Sequence, residues 1–187
     1  MNGFMSLVST SVTRPGEAAR ALLDLQLSRD VAWMLLALSV IGMVILTFLF
    51  SGGEPIPLVP GLDPMTPMIA LIFQGSFAVI TGYAIYFTGN AMDGAGTLTE
   101  SILVVAWLQV LQVVGLVIQG GLLLVSPGIA TMVSLVISFG LLWVLLAFVD
   151  VLHGFGSLGR AALLLLFVIV GIMLGLTLIL GLIGVGV

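Results

Sequence analysis

Five stretches of this chain are long, apolar and free of Asp, Glu, Lys and Arg in their interiors: about residues 31–50, 67–88, 102–124, 129–149 and 161–186. Crossing a hydrocarbon layer of about 30 Å takes about 20 apolar residues as a helix, at about 1.5 Å rise each. No water reaches a backbone N–H or C=O in lipid, so only helices and closed barrels can span it. Barrel strands alternate apolar and polar side chains. These runs are uninterrupted, so the chain is read as all-α: a polytopic transmembrane bundle of five spans. Composition agrees, with 61% hydrophobic and 6% charged among 187 residues, against about 25% charged in an ordinary soluble domain. No soluble fold of this size hides so much apolar surface.

The connections suit that reading. "SGGEPIPLVPGLDPMTP", residues 51–67, carries five prolines and cannot continue a helix. "GNAMDGAGTLTE", residues 89–100, is a glycine-rich loop whose Thr97 and Glu100 form a capping box for the third span. "SPG" at 126–128 breaks the chain sharply, so the third and fourth spans make a hairpin.

Residues 1–30 are set apart from the bundle of 31–187. They lack the basic start and short apolar core of a secretory signal, so the amino terminus is expected to be retained. "TRPGEAARALLDLQLSRD" reads as a separate amphipathic helix, with Pro15 in its first turn. Ala18, Leu22 and Leu25 share one face, and Glu17, Arg20 and Asp24 lie away from it. Such a helix either lies in the membrane interface or packs on the end of the bundle.

Arg14, Arg20, Arg29 and Arg160 are the only Lys or Arg residues. With five spans all four fall on one side, which the positive-inside rule makes cytoplasmic. The amino terminus is then inside and the carboxyl terminus outside. A net charge of -4 without a basic patch excludes nucleic acid as a partner. The absence of cysteine excludes disulfides, thiolate metal sites and cysteine nucleophiles.

"DVLHGFGSLGR", residues 150–160, holds the chain's single histidine, His153, and matches G-x-G-x-x-G at Gly154, Gly156 and Gly159. That fingerprint binds dinucleotides only between a strand and a helix, with an acid about 20 residues on. Here both neighbours are spans and no such acid follows, so the glycines are read as a turn. Asp150, His153 and Ser157 recur at helical spacing, but Phe155 stands where a nucleophile elbow needs glycine. One His without Cys offers no tetrahedral metal set, and Asp93, Glu100 and Asp150 on the same face could at most hold a divalent ion weakly. No catalytic residue, cofactor or metal is expected. Asp150 is expected to pair with Arg160. Asp93, Glu100, Asp150, His153 and Arg160 together form the candidate cytoplasmic docking face.

Polarity inside the spans is confined to amides and hydroxyls: Gln109, Gln112 and Gln119 in the third, Gln74 and Ser76 in the second, Thr131, Ser134 and Ser138 in the fourth. They read either as interhelical hydrogen bonding or as a polar pathway. Intramembrane ionisable groups mark ion routes, and the spans contain none, which favours packing. Gly171-x-x-x-Gly175 is a close-approach signature, read as packing within the bundle in preference to dimerisation.

The order of these features resembles the bacterial branch of the Ypt-interacting-protein (YIP) domain family of five-span membrane proteins. "RPGEAARALL" before the first span carries the likeness, followed by the proline-containing outer loop. "GNAMDGAGTLTESILVVAWLQVLQVV", the "SPG" hairpin, "DVLHGFGSLGRAALLLL" and a final apolar span complete it. The resemblance implies a scaffold without catalytic residues; eukaryotic members are similar to proteins that bind small GTPases in vesicle traffic. Only about 30 residues precede the first span, so a GTPase partner is not expected here. Arginine in place of lysine suits a bacterial inner membrane. The expected function is a non-enzymatic scaffold, assembly factor or accessory subunit, with the lipid bilayer and another membrane protein or a second copy as partners. The alternative is a small transporter for a neutral solute, lined by Gln109, Gln112 and Gln119.

Overall fold

The computed structural model describes residues 2–55 and 64–182. Among them are seven helices: α1 (Asn2–Thr13), α2 (Pro15–Leu23), α3 (Arg29–Phe50), α4 (Pro67–Ala91), α5 (Leu98–Leu123), α6 (Pro127–His153) and α7 (Leu158–Leu182). α3 to α7 are the five long apolar helices, each able by length and composition to cross a membrane. Residues 56–63 of the proline loop, and Gly184 and Gly186 of the fifth span, lie outside the described residues.

α3, α4, α5 and α6 each open on a hydroxyl cap. Ser28, Thr66, Thr97 and Ser126 accept from the N–H of Val31, Ile69, Glu100 and Ile129, each contact worth about 0.5–2 kcal/mol to a helix. The capping box is closed both ways: Glu100 Oε2 also accepts from Thr97 N–H, at 2.8 Å. Prolines at 67 and 127 stand just inside α4 and α6, where a missing N–H costs nothing. α6 stops at Gly154, in the left-handed region at φ 66°, the conformation that glycine adopts without strain.

α5 is the axle of the bundle. In its most apolar stretch 61% of residues are buried, against 22–28% in the other four spans, so α5 is the helix that faces lipid least. α3, α4 and α6 pack around it, and α7 closes on α4 and α6. Leu36, Ile85, Ile102, Val104, Phe148 and Leu164 bring all five spans into one core. At Gly82 the helices approach so closely that a Cβ would stand 2.5 Å from Ile102 Cδ1. The outer faces expose Leu38, Ile45, Phe87, Met132, Phe139 and Leu178. This is the surface of a bundle surrounded by hydrocarbon, where packing rather than burial from water joins the helices.

The amino-terminal segment differs from its expected form. α2 begins at Pro15 and buries Ala18 and Leu22 as read, but also Ala19. Leu25 lies past the end of the helix and is 57% exposed. α1, which the sequence reading leaves unassigned, is a second helix packed on α2. Trp107 Nε1 of α5 donates to Ser11 Oγ at 2.9 Å in a buried contact. Phe4 meets the same indole edge-on at a centroid distance of 5.8 Å. The α1–α2 hairpin is therefore docked on α5 and α6, which favours packing on the bundle over a helix held by lipid alone.

A clamp between two turns at the arginine end

Arg14, Arg20, Arg29 and Arg160 mark one end of the bundle, where the α4–α5 and α6–α7 turns meet. His153, the last residue of α6, stands between the turns and is 2% exposed. The α4–α5 segment surrounds its imidazole with Gly89, Gly94 and Gly96. A Cβ at Gly94 would stand 2.6 Å from Nδ1, one at Gly96 would stand 2.8 Å from Cε1, and one at Gly89 would collide with the ring outright. Here the glycines are required by close approach, since a methyl group has nowhere to go.

The backbone of the same residue is used as well. Ala95 N–H donates to the His153 carbonyl at 3.2 Å, and Gly94 N–H folds back to Gly89 O at 2.9 Å. With its amide oriented to donate, Asn90 reaches Gly94 O at 3.0 Å and Gly96 O at 3.2 Å. Asp93 takes the left-handed conformation at φ 61°, which Asp tolerates better than most residues, and lets the chain curl around the ring. On the ring's other side Phe155 stacks at 5.4 Å and 22°, and the Arg160 guanidinium lies over Phe155, 4.6 Å from its centroid. Arg160 also donates to the Met92 carbonyl at 2.6 Å, so α7 grips the α4–α5 turn directly.

The expected Asp150–Arg160 ion pair is not made. Asp150 Oδ1 instead accepts from Ser157 N–H at 2.7 Å, tying the α6–α7 turn to the end of α6, while Arg160 is drawn to Met92 and Phe155. Among the described residues the one salt bridge is Arg14–Glu17, at 3.5 Å on the surface, and such exposed pairs contribute little. The Asp150–His153–Ser157 relay is not assembled either. Asp150 spends its carboxylate on a backbone N–H, and neither imidazole nitrogen has a hydrogen-bond partner. Gly154 and Gly156 adopt positive φ between two helices, so the G-x-G-x-x-G residues form a turn. Among the described residues no three of His, Asp and Glu gather to hold a metal. Of the five docking-face residues, the structure places His153 inside the clamp, Asp150 and Arg160 as its braces, and Glu100 in a helix cap. Asp93 is left exposed.

The intramembrane glutamines do not converge. Gln109 is buried with its Oε1 unpartnered, Gln112 is exposed on the outer surface, and Gln119 borders a small hollow with Thr131 and Ser134. None of the three joins helices by a side-chain hydrogen bond in the way expected. Gly171 and Gly175 are also corrected: a Cβ at either would meet nothing within 4 Å. They line an apolar groove of about 420 Å³ between α4 and α7, with Phe73, Phe77 and Phe167. α4 and α7 touch elsewhere, but an open groove separates them at the glycines.

Five apolar helices, four of them gathered about the central α5, with both turns at one end clamped together, define a multi-pass helical membrane protein. The Yip1 domain family matches residues 9–179, nearly the whole chain, and the chain belongs to that family. No curated protein and no solved structure matches it. The match takes in α2 and the last turn of α1, residues 9–13, besides the spans, so α2 belongs to the domain's body. The sequence signal for the clamp was its glycine content. What the sequence could not reveal is that the glycines of one turn are small for the sake of a histidine in the other.

Proposed function

We propose that this Yip1 domain protein acts without catalysis, by presenting its clamped turns to another membrane protein as a scaffold, assembly factor or accessory subunit. The arginine end then faces the cytoplasm of a bacterial inner membrane, in keeping with four arginines gathered on that end. One observation carries the reading: Asp150, Arg160 and the His153 carbonyl brace two turns into a single ledge. A ledge held in one geometry loses little freedom on binding, which favours recognition. Asp93 and Leu158 stand exposed on its two sides. The separated glutamines give the transport alternative no common lining.

The test is site-specific photocrosslinking in the native membrane. A photoreactive residue at Asp93 or Leu158 should yield the same crosslinked protein, and one at lipid-facing Met132 should not. Identical products from all three positions, or none from the ledge, contradict the proposal.

A further inference from the structure

We propose that His153 is a proton-operated latch: its neutral ring holds the α4–α5 and α6–α7 turns together, and its protonation releases them. Closure depends on a ring that sits flat in a glycine cradle at 2% exposure. Neither nitrogen has a hydrogen-bond partner; the Ile85 carbonyl faces the ring without reaching hydrogen-bond geometry, and it already belongs to the α4 ladder. An imidazolium would carry two N–H donors and a full charge into a space where the Ile85 carbonyl, out of hydrogen-bond geometry, is the acceptor at hand. A buried charge without partners is strongly disfavoured, whereas an imidazolium swung out toward water is not.

The charge of Glu100 acts on the ring from a distance, but burial outweighs it and no acid reaches either ring nitrogen. On α5, Glu100 has committed Oε2 to Thr97 N–H and Oγ1. On α6, Asp150 is held by Ser157 N–H. In the α4–α5 turn, Asp93 is exposed. On α7, Arg160 is positive and lies on the far face of Phe155, so it opposes a second positive charge. α4 brings Tyr83 and Tyr86 as its titratable side chains, and α2, which packs on α6, carries Glu17, Arg20 and Asp24. Gly89, Gly94 and Gly96 press against the ring on the α4–α5 side. The charged state is therefore accommodated by opening. Opening also frees the Ala95 N–H and loosens the Phe155 stack on which Arg160 rests.

The experiment uses two features of the sequence, a single histidine and no cysteine. Spin labels at Ala95→Cys and Leu158→Cys, both on exposed positions, report the separation of the turns in lipid vesicles between roughly pH 8 and pH 5, the range in which histidine commonly titrates. The ¹⁵N signals of the one imidazole report its protonation in the same samples. The expected result is one short distance at the alkaline end, with a longer population growing in step with protonation of the ring. In His153→Gln, which cannot take up the proton, the distance distribution should not respond to pH. Protonation of the ring with no change in distance overturns the latch. A distance change that precedes ring protonation, or that persists in His153→Gln, also overturns it. The readout is turn separation and not partner binding, so failure of the latch leaves the docking proposal standing.

Discussion

Arg160 passes over Asp150, its expected partner, and donates to the Met92 carbonyl of the opposite turn, 2.6 Å away. The choice follows from what each group can reach. Asp150 is captured by the Ser157 N–H of its own turn at 2.7 Å. That leaves the guanidinium to lie on Phe155 and bridge to α4–α5. A double-mutant cycle of Asp150→Asn and Arg160→Gln should be additive within about 0.5 kcal/mol in unfolding free energy, because the two groups do not pair. A direct ion pair would instead show coupling of about 0.5–3 kcal/mol.

Glycines in this chain are not equivalent, and alanine substitution should sort them. Gly94→Ala drives a methyl into the His153 ring, and overpacking of this kind costs about 1–3 kcal/mol. Gly171→Ala points a methyl into the open groove and should change stability by no more than about 0.5 kcal/mol. Thermal unfolding midpoints in detergent micelles measure both, and equal effects would contradict the assignment.

The indole of Trp107 fastens the amino-terminal hairpin to α5 through Ser11. Ser11→Ala and Trp107→Phe should each lose about 1 kcal/mol for the hydrogen bond, with Trp107→Phe losing further packing against Phe4. Because they remove one interaction, the double variant should be less destabilised than the sum. Limited proteolysis of the first 28 residues, ahead of α3, gives an independent readout and should accelerate in either variant.

Gln109 and Gln112 are expected to behave differently from a pathway or a glue. Gln112→Leu, on the lipid-facing surface, should fold and assemble as the parent does. Gln109→Leu removes a buried, unpartnered carbonyl oxygen, a group whose burial costs roughly 1–3 kcal/mol, and should leave stability unchanged or raised. Loss of assembly in Gln112→Leu, or a solute flux in proteoliposomes that either substitution abolishes, would contradict this reading.

The spans were legible because hydrocarbon imposes a simple rule on every residue within them. Thr97, Glu100 and Pro15 also declared their roles locally, since caps and first turns are decided within one helical turn. α1 was not legible: "NGFMSLVSTSVT" has no long apolar run, and its stability comes from docking on Trp107 and α2. The same limit hid the clamp. His153 and Gly94 lie far apart in the chain, and a glycine kept small by a distant side chain looks like any loop glycine. Gly171 and Gly175 show the converse, a motif whose small residues are present while no partner helix closes on them.

The two turns at the arginine end form one unit pinned by His153. Hydrogen–deuterium exchange of the protein in lipid nanodiscs, comparing the parent with Gly94→Ala, tests it most directly. Exchange should quicken in both turns together, residues 89–97 and 153–158, although the substitution lies in only one of them. Faster exchange confined to 89–97, with 153–158 as protected as in the parent, would contradict it.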